Sequence, residues 1–462
     1  MALKKSSGPK ESSAALQQRR IALLGLGVEN RALARFLHAR QIPFAVCDAR
    51  DPAIPVEGVQ QWRIGDRYLD DLTDFDLLFR TPGLPTLDPR LCAARRCGVE
   101  VSSQTRLFLQ LCPAPVIGIT GTKGKGTTTA LLHALLATDS TARVFSGGNI
   151  GRPPLEFLDE LQPTDRVVLE LSSFQLQDLD QSPHIAVVLS VTEDHLDYHA
   201  DRAEYVAAKK PVCCYQTPDD ILIVNRDCPT ARAFVDESPA ALWTFSTTAP
   251  SIPGAWLADG QLWACCPGTQ PTVICPTEDI PLRGRHNWSN VTAAVAGALA
   301  FGAPATHFAE AIRSFAGLPH RLECVAERDG VTYYNDSLAT TVDATCAALR
   351  AFDAPLLLIV GGASKGADFS ALGTAIAEAN VRAVLLIGQE APRIAAAVQQ
   401  AGAGEIVHCC RDLAQALDTA RHLAQTGDVV LLSPACASFD QFASYAERGD
   451  LFKRLVRTVG VV

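Results

Sequence analysis

The feature that most constrains the fold of this chain is a repeated alternation of short aliphatic runs with stretches of helical pattern. The runs include residues 21–24, 116–119, 356–360 and 429–432 of the 462-residue chain. A continuous aliphatic run of strand length is typical of a parallel strand whose sheet is covered by helices on both faces. The alternation therefore predicts an α/β protein built from βαβ units.

The length of the chain and two interruptions of this pattern predict three domains. A chain of 462 residues is longer than the usual domain of ~100 to 200 residues. Pro113 and Pro115 precede a second group of strands, and residues 317–319 precede a third. We expect a polar tail at 1–19 and domains at 20–112, 113–316 and 317–462. The irregular residues 228–277 predict a small antiparallel addition to the central domain.

Composition excludes several classes of protein. Apolar residues make up 48% and charged residues 20%, which is typical of a folded chain and excludes disorder for most of it. The net charge of −9 and the lack of a long basic run argue against a nucleic-acid-binding surface. Every apolar run is shorter than the ~18 residues of a membrane span. The 15 scattered cysteines follow no secretory signal and predict reduced thiols in the cytoplasm.

The most specific chemical motif is Gly-Ile-Thr-Gly-Thr-Lys-Gly-Lys-Gly-Thr at residues 118–127, between a predicted strand and a predicted helix. Glycines let backbone amides surround an anion, and the helix N-terminus adds partial positive charge. Lys125 supplies a cation that can bridge the β- and γ-phosphates, so the loop predicts binding of a nucleoside triphosphate. Gly126 stands where Ser or Thr usually follows the lysine, and Thr127 is the nearest alternative hydroxyl.

Acidic residues follow the next two predicted strands. Glu170 lies at the end of the strand at 166–171, and Thr-Glu-Asp-His-Leu-Asp at 192–197 follows the strand at 185–191. A carboxylate at a buried strand end is costly unless it is paired or bound to a metal. Ligands of parallel sheets collect at the carboxyl ends of the strands. The two acidic segments therefore predict a cation site beside the phosphate loop.

A second glycine turn, Gly25-Leu26-Gly27, with Asp48 at the next strand end, suggests a dinucleotide site. Asn30 replaces the third glycine of that motif, which allows close helix packing. The replacement argues against a redox function. A UDP-sugar presents the same diphosphate to the same helix N-terminus and is the alternative that we favour.

Six segments together resemble the Mur ligases. They are residues 121–125, 170–176, 284–287, 317–321, 335–337 and 432–438, and the likeness extends from about residue 20 to the end. The resemblance implies a cytoplasmic, monomeric ligase of peptidoglycan precursor synthesis, with Rossmann-like first and third domains and a central P-loop ATPase domain. It implies that ATP, with Mg²⁺, converts the carboxylate of UDP-N-acetylmuramoyl-L-alanine to an acyl phosphate, which the amine of D-glutamate attacks.

The resemblance also implies roles for individual residues. ATP would be bound by Gly121, Thr122, Lys123, Gly124, Lys125, Gly126, Thr127, Asn290, Arg321 and Asp336, the last two after closure of the third domain. Catalysis would depend on Lys125, Glu170, His195 and Lys209, and magnesium on Thr127, Glu170, His195 and, if carbamoylated, Lys209. The UDP-sugar would contact Val28, Glu29, Asp48, Arg50, Gly83 and Asn149, and glutamate would contact Thr340, Lys365, Ser438 and Tyr445.

Several alternatives stay open at this point. Leu338 replaces a lysine of the family pattern and Tyr445 replaces a phenylalanine, so the configuration of glutamate is not fixed. A related ligase with another acceptor is one alternative, and a nucleotide-dependent switch without covalent chemistry is another. Considered without the family, Lys209 reads as a solvated helix residue, and Lys210 beside it competes for the same role.

Overall fold

The computed structural model describes residues 13–51, 55–194, 198–282, 284–364 and 366–458. The chain divides into two compact units. Residues up to Phe315, apart from Leu282–Gly284, form the first unit, and Leu282–Gly284 with the residues from Ala316 onward form the second. Two of the three sheets lie in the first unit, and the third sheet lies in the second.

The first sheet has five parallel strands in the order β3-β2-β1-β4-β5. Its strands are β1 Ile21–Leu24, β2 Phe44–Asp48, β3 Val59–Ile64, β4 Leu77–Arg80 and β5 Glu100–Ser102. Its helices are α1 Ser13–Gln17, α2 Val28–Ala39, α3 Pro89–Arg96 and α4 Gln104–Leu111. Because β1 is central and the order reverses there, the carboxyl end of β1 opens into a crevice.

The second sheet has nine strands in the order β14-β13-β12-β11-β10-β9-β6-β8-β7. The strands are β6 Val116–Thr120, β7 Val144–Gly148, β8 Arg166–Glu170, β9 Ile185–Val188, β10 Ile221–Asn225, β11 Ala241–Ser246, β12 Gly254–Ala258, β13 Gln261–Cys265 and β14 Thr272–Pro276. The helices are α5 Lys125–Leu136, α6 Ser173–Leu176, α7 Arg202–Ala207, α8 Pro229–Arg232, α9 Arg285–Ala300 and α10 Phe308–Ser314. Neighbouring strands are parallel from β7 to β12, and β12, β13 and β14 are antiparallel.

The second unit contains a six-stranded sheet in the order β15-β16-β20-β17-β18-β19, in which only the β15–β16 pair is antiparallel. Its strands are β15 Glu323–Arg328, β16 Val331–Asn335, β17 Leu356–Gly361, β18 Val381–Ile387, β19 Val407–Cys409 and β20 Val429–Leu432. Its helices are α11 Val342–Leu349, α12 Ser370–Glu378, α13 Ala391–Gln400, α14 Leu413–Leu423 and α15 Tyr445–Thr458.

One apolar core joins the first two sheets. It extends from Leu23 and Val46 of the first sheet to Val167 and Leu169 of the second. Phe108 of α4 meets Phe157 edge to face within it, with ring centroids 5.6 Å apart. Aromatic pairs of this kind add about 0.5–1.5 kcal/mol to their burial. This shared core accounts for the presence of both sheets in one compact unit.

The structure confirms the predicted α/β class with mostly parallel sheets, and it confirms the antiparallel addition, formed by β12, β13 and β14. Two predicted elements differ in length. The helix expected at 31–37 begins earlier, at Val28, because the N-cap residue is Gly27, whose backbone is extended. The strand expected at 185–191 ends at Val188. Among the described residues, no helix is long and apolar enough to cross a membrane.

Candidate functional site

The phosphate loop connects the central strand β6 to α5, as its sequence predicts. Gly124 has φ +88°, and a Cβ atom there would lie 2.2 Å from Oδ1 of Asn290. Only glycine tolerates both the left-handed backbone and this close contact. The requirement at Gly124 thus arises from the asparagine of α9, which the structure brings directly onto the loop.

The two lysines of the loop have different surroundings. The Lys125 ammonium donates to the carbonyl oxygens of Gly121 and Thr122, at 3.1 and 3.0 Å. Lys123 is largely exposed, and its Nζ lies 2.9 Å from Oδ2 of Asp194. Lys125 therefore places a half-buried positive charge over the loop, and Lys123 contributes at its rim.

Glu170 ends β8, which is paired with the loop strand β6. Its Oε1 accepts a 2.9 Å hydrogen bond from Nδ2 of Asn149, and its backbone oxygen accepts a 2.9 Å bond from the Asn149 amide. Gly148, with φ +107°, permits this approach, because a Cβ atom there would lie 2.2 Å from the Glu170 carbonyl oxygen. Asn149 and Glu170 are thereby fixed together beside the loop.

The donor set beside the loop fits a magnesium ion. Oε2 of Glu170 is buried and has no hydrogen-bond partner among the described residues. Thr127, proposed to supply the hydroxyl that Gly126 lacks, is buried on the first turn of α5. Mg²⁺ takes oxygen ligands and usually keeps several waters, so a few protein oxygens suffice. His195 lies outside the described residues, and no cluster of three or more His, Cys, Asp or Glu side chains is found within them.

Lys209 is buried beside the same loop. The residue lies just after α7, and only 1% of its surface is exposed. Its Nζ donates a 3.1 Å hydrogen bond to the Gly121 carbonyl oxygen. Its Nζ lies 4.5 Å from the centroid of the Tyr205 ring. Burial, with a contribution from the nearby Lys125 charge, lowers the pKa of Lys209 to about 7. The interpretation as a solvated helix residue is wrong, because α7 packs this lysine against the loop.

Tyr205 connects Lys209 to the phosphate loop. Its hydroxyl lies 3.1 Å from Oγ1 of Thr122, which also accepts a 2.9 Å bond from the backbone amide of Thr192. Thr192 follows β9, the other neighbour of the loop strand. The loop, α7 and the segment after β9 therefore share one hydrogen-bonded connection.

The carboxyl edge of the first sheet contains the residues predicted to contact a UDP-sugar. Asp48 accepts hydrogen bonds from the backbone amides of Leu26 and Arg50, at 2.6 and 2.9 Å. Val28 begins α2 and is 71% exposed, which is unusual for an apolar side chain. Gly83 follows β4 and is exposed. Asp48 therefore fixes the glycine turn, and Val28 presents an apolar surface next to it.

Glu29, in the first turn of α2, contacts the central sheet's elements. Nε2 of Gln175 donates a 2.5 Å hydrogen bond to its Oε1, while its buried Oε2 has no partner among the described residues. Gln175 also forms the capping box of α6 with Ser172, which fixes the orientation of its amide. Burial raises the pKa of Glu29 to about 7.

Asn30 has a structural role that its sequence position did not reveal. It is fully buried, and its Nδ2 donates to the carbonyl oxygens of Leu24, Gly25 and Phe79, at 3.2, 2.7 and 3.1 Å. It therefore satisfies carbonyl groups at the ends of two neighbouring strands. The missing third glycine is replaced by a residue that fastens β1 to β4.

A buried ion pair links β4 to the segment after α6. No motif in the sequence indicated this pair. Nη2 of Arg80 lies 2.6 Å from Oδ2 of Asp178, and both side chains are almost completely buried. Arg80 also donates to the carbonyl oxygen of Phe174 at 2.7 Å and to the Tyr198 hydroxyl at 3.0 Å. This network joins the two sheets of the first unit close to Gln175.

In the second unit, Asp336 follows β16 in a buried position. Its carboxylate accepts hydrogen bonds from the Leu322 amide at 3.1 Å and from Oγ of Ser433 at 2.8 Å. Burial raises its pKa to about 6, and these hydrogen bonds and the charge of Arg321 act in the opposite direction. His320, whose role was open, has φ +63° and lies 3.0 Å from the Asn335 amide, a structural contact.

A buried arginine, Arg448, lies close to two of the residues predicted to contact glutamate, Ser438 and Tyr445. Arg448 donates to Oγ and O of Ser337, both at 3.0 Å, and to the carbonyl oxygens of Cys436 and Ala437. Ser438 comes directly after Ala437. The Ser337 hydroxyl donates a 2.7 Å hydrogen bond to the backbone carbonyl oxygen of Tyr445. Thr340 lies in the loop before α11, and Lys365 lies outside the described residues. The sequence prediction missed Arg448, whose isolated charge gives no local pattern.

Comparison with known protein families gives matches in three consecutive parts of the chain. The MurD-like N-terminal domain of Mur ligases matches residues 19–103. The Mur ligase middle domain matches residues 119–298, and the glutamate ligase domain of Mur ligases matches residues 320–436.

Curated relatives match over nearly the whole chain. A protein of Symbiobacterium thermophilum is 42% identical over 454 residues, which cover 96% of this chain and 98% of the relative. One of Acetivibrio thermocellus is 37% identical over 457 residues, covering 96% and 97%. Both relatives are named UDP-N-acetylmuramoylalanine--D-glutamate ligase.

Solved structures share the fold at low sequence identity. MurF from Acinetobacter baumannii has a TM-score of 0.59 at 18% identity and covers 88% of this chain and 85% of its own. The UDP-N-acetylmuramate-alanine ligase MurC from Thermotoga maritima has a TM-score of 0.58 at 16% identity and covers 96% and 100%. These likenesses establish the architecture.

Proposed function

We propose that this chain, which belongs to the Mur ligase family, uses ATP to join D-glutamate to the alanine carboxylate of UDP-N-acetylmuramoyl-L-alanine. The observation that carries the proposal is the near-complete match to relatives named for this reaction, at 42% and 37% identity. The loop, Glu170 and Lys209 together at one sheet edge supply the phosphoryl-transfer chemistry that the reaction needs.

The reaction requires activation of a carboxylate, because oxide is too poor a leaving group for direct attack by an amine. An oxygen of the alanine carboxylate attacks the γ-phosphorus of ATP, the bond to the β,γ-bridging oxygen breaks, and ADP leaves. The glutamate amine then attacks the acyl carbon and loses a proton. The tetrahedral intermediate collapses to an amide and inorganic phosphate, which keeps the oxygen taken from the carboxylate.

Lys125 and the loop amides would stabilise the charge that develops on the phosphoryl oxygens. Removing one preorganised donor of this kind typically lowers kcat by about 10²–10³-fold. Lys125 donates to two loop carbonyl oxygens, which hold its ammonium in place. Binding of the triphosphate would exchange these contacts for phosphate oxygens, with Gly121, Thr122, Lys123, Gly124, Gly126, Thr127 and Asn290 around it.

We assign Thr127, Glu170 and His195 to the binding of Mg²⁺, with Lys209 as a further ligand once it is carbamoylated. The ion would supply charge neutralisation at the phosphate oxygens. The buried, unpartnered Oε2 of Glu170 supports this assignment among the described residues. A hydrogen bond from Asn149 leaves that oxygen available, because Asn149 binds only Oε1.

Lys209 is suited to carbamoylation because its amine is neutral near pH 7. A pKa of about 7 leaves about half of the amines unprotonated there, whereas the ordinary pKa of 10.5 leaves about 3 in 10,000. The neutral nitrogen attacks the carbon of CO₂, forms an N–C bond and releases a proton to solvent. The product is an anion that can bind a metal.

The remaining assignments follow the resemblance of the sequence motifs to those of the family. We assign Val28, Glu29, Asp48, Arg50, Gly83 and Asn149 to the UDP-sugar, Arg321 and Asp336 to ATP, and Thr340, Lys365, Ser438 and Tyr445 to glutamate. We likewise propose a tail at 1–19, domain bounds at 20–112, 113–316 and 317–462, a cytoplasmic location and a monomeric state. The buried Arg448 supports an anionic ligand near Ser438, because within the described part of the chain its guanidinium donates only to neutral oxygens.

The proposal is tested by ADP release from the purified chain with ATP, Mg²⁺, UDP-N-acetylmuramoyl-L-alanine and either enantiomer of glutamate. We expect release only when all three substrates are present, and with D-glutamate. Release with L-glutamate alone would assign the chain to another acceptor. ATP binding without any release would identify a nucleotide-dependent switch and would overturn the proposal.

A further inference from the structure

A serine, a histidine and a glutamate form a buried hydrogen-bonded series beside the candidate site. Oγ of Ser173 lies 2.9 Å from Nε2 of His199, and Nδ1 of His199 contacts Oε2 of Glu204. The imidazole is fully buried, while a quarter of the Glu204 side chain is exposed. None of the three residues belongs to the predicted binding or catalytic set.

The hydrogen-bond chemistry fixes the orientation of the ring. An ionised carboxylate can only accept, so Nδ1 of His199 carries the proton that binds Glu204. Nε2 is then able to accept from the Ser173 hydroxyl. Glu204 is itself held by Nε2 of Gln177, which donates to its Oε1 at 2.7 Å. The ring is therefore bonded at both nitrogens and has one favoured orientation.

The series joins two helices that each lie close in the chain to a candidate catalytic residue. Ser173 begins α6, three residues after Glu170, and Glu204 lies on α7, five residues before Lys209. His199 follows the segment that contains His195.

Aromatic packing extends the same connection to the phosphate loop. The His199 ring stacks on Phe174, with centroids 5.4 Å apart and an interplanar angle of 6°. On its other side it meets Tyr205 edge to face at 5.2 Å. Tyr205 in turn contacts Nζ of Lys209 and the hydroxyl of Thr122. A shift of the imidazole would therefore displace the Tyr205 ring and, through it, the Lys209 side chain.

We infer that His199 is a positioning residue which, through Ser173 and Glu204, holds the backbone segments of Glu170 and Lys209 in register for the binding of Mg²⁺ with ATP. The inference rests on the proposed function, because it concerns the same site. Misplacement of catalytic groups by about 1 Å can cost about 10²-fold in rate. The role of the imidazole is thus geometric, and it does not itself contact the substrates.

The test compares His199→Ala and Ser173→Ala with the wild-type chain by calorimetry and kinetics. We expect ATP to bind all three with dissociation constants within about 2-fold of each other in EDTA, since the loop amides are intact. With MgCl₂ we expect binding to the variants to be weaker than to wild type by about 10-fold or more, and kcat to fall by at least as much. The KM for glutamate should not change.

Two further variants separate positioning from general loss of stability. Ser173→Ala removes a single oxygen and keeps the test usable if His199→Ala does not fold. Ser246→Ala removes a similarly buried hydroxyl at the end of β11 in the same unit, which donates to Asp227 at 2.6 Å, and should leave magnesium dependence unchanged. His199→Asn retains an amide donor where Nδ1 lies and should recover part of the loss.

The outcomes distinguish this inference from the proposed function. If the wild type binds ATP with Mg²⁺ but does not ligate, the proposed function fails, and the calorimetric comparison still decides the role of His199. If the wild type ligates and both His199→Ala and Ser173→Ala retain its magnesium dependence and kcat, the inference is wrong. Equal losses in Ser246→Ala would also overturn it.

Discussion

Replacing Lys209 with methionine removes a buried amine while keeping an unbranched side chain of similar length. The native amine is 1% exposed and has a pKa of about 7, compared with 10.5 for an exposed lysine. Between these two values the unfolded chain holds more protons than the folded chain, so stability rises with pH. The penalty for burying the amine is therefore complete below about pH 7 and disappears towards pH 10.5.

The expected size follows from integrating the proton difference. From pH 7 to 9.5, the unfolded amine remains almost fully protonated while the folded amine loses its proton. The wild-type chain should gain about 3 kcal/mol of unfolding free energy relative to Lys209→Met over this range. Comparing two variants at each pH cancels the titration of all other groups.

Urea unfolding followed by tryptophan fluorescence provides the assay. All five tryptophans lie in the first compact unit, at 62, 243, 256, 263 and 288, so fluorescence reports the unit that contains Lys209. Buffers must be free of CO₂, because carbamoylation would remove the titrating amine. Lys210→Met is the matched control, since it removes the same charge from the half-exposed neighbour. A difference between wild type and Lys209→Met that stays constant within about 1 kcal/mol from pH 7 to 9.5 would refute the assigned burial of the amine.

Three further predictions concern the loop and the support beneath it. Lys125→Ala should lower the rate of ADP release by about 10²-fold or more, and near-normal turnover would refute its phosphate role. Gly124→Ala should weaken ATP binding by about 10-fold or more in calorimetry, because the new Cβ would meet the asparagine of α9 at 2.2 Å. Gly260→Ala has a similar positive φ and open space around it, and binding should be unaffected. Asp178→Ala should destabilise the first unit by about 3–5 kcal/mol in urea unfolding, since Arg80 would keep a buried charge without its carboxylate; a loss below about 1 kcal/mol would show that the pair is not desolvated.

The sequence predicted those parts of the site that depend on local order along the chain. The phosphate loop lies between a strand and a helix, and Glu170 ends the neighbouring parallel strand, so strand pairing alone brings them together. The α/β class was predictable for the same reason, because buried parallel strands leave continuous aliphatic runs.

Features that depend on tertiary packing could not be predicted from local pattern. Lys209 has the sequence surroundings of a surface helix, and only the packing of α7 against the loop buries it. Arg80 and Asp178 are far apart in the chain, and neither has a recognisable motif. Asn30 was recognisable as a departure from the glycine pattern, but two of its carbonyl partners lie on different strands, β1 and β4.

Isotope transfer tests the central claim most directly, namely that ATP activates the substrate carboxylate. UDP-N-acetylmuramoyl-L-alanine labelled with ¹⁸O in both carboxylate oxygens is incubated with the chain, ATP, Mg²⁺ and D-glutamate, and the released phosphate is analysed by mass spectrometry. The account predicts one ¹⁸O atom in each phosphate, because the carboxylate oxygen leaves with the transferred phosphoryl group. Phosphate released without ¹⁸O while amide is formed would contradict it.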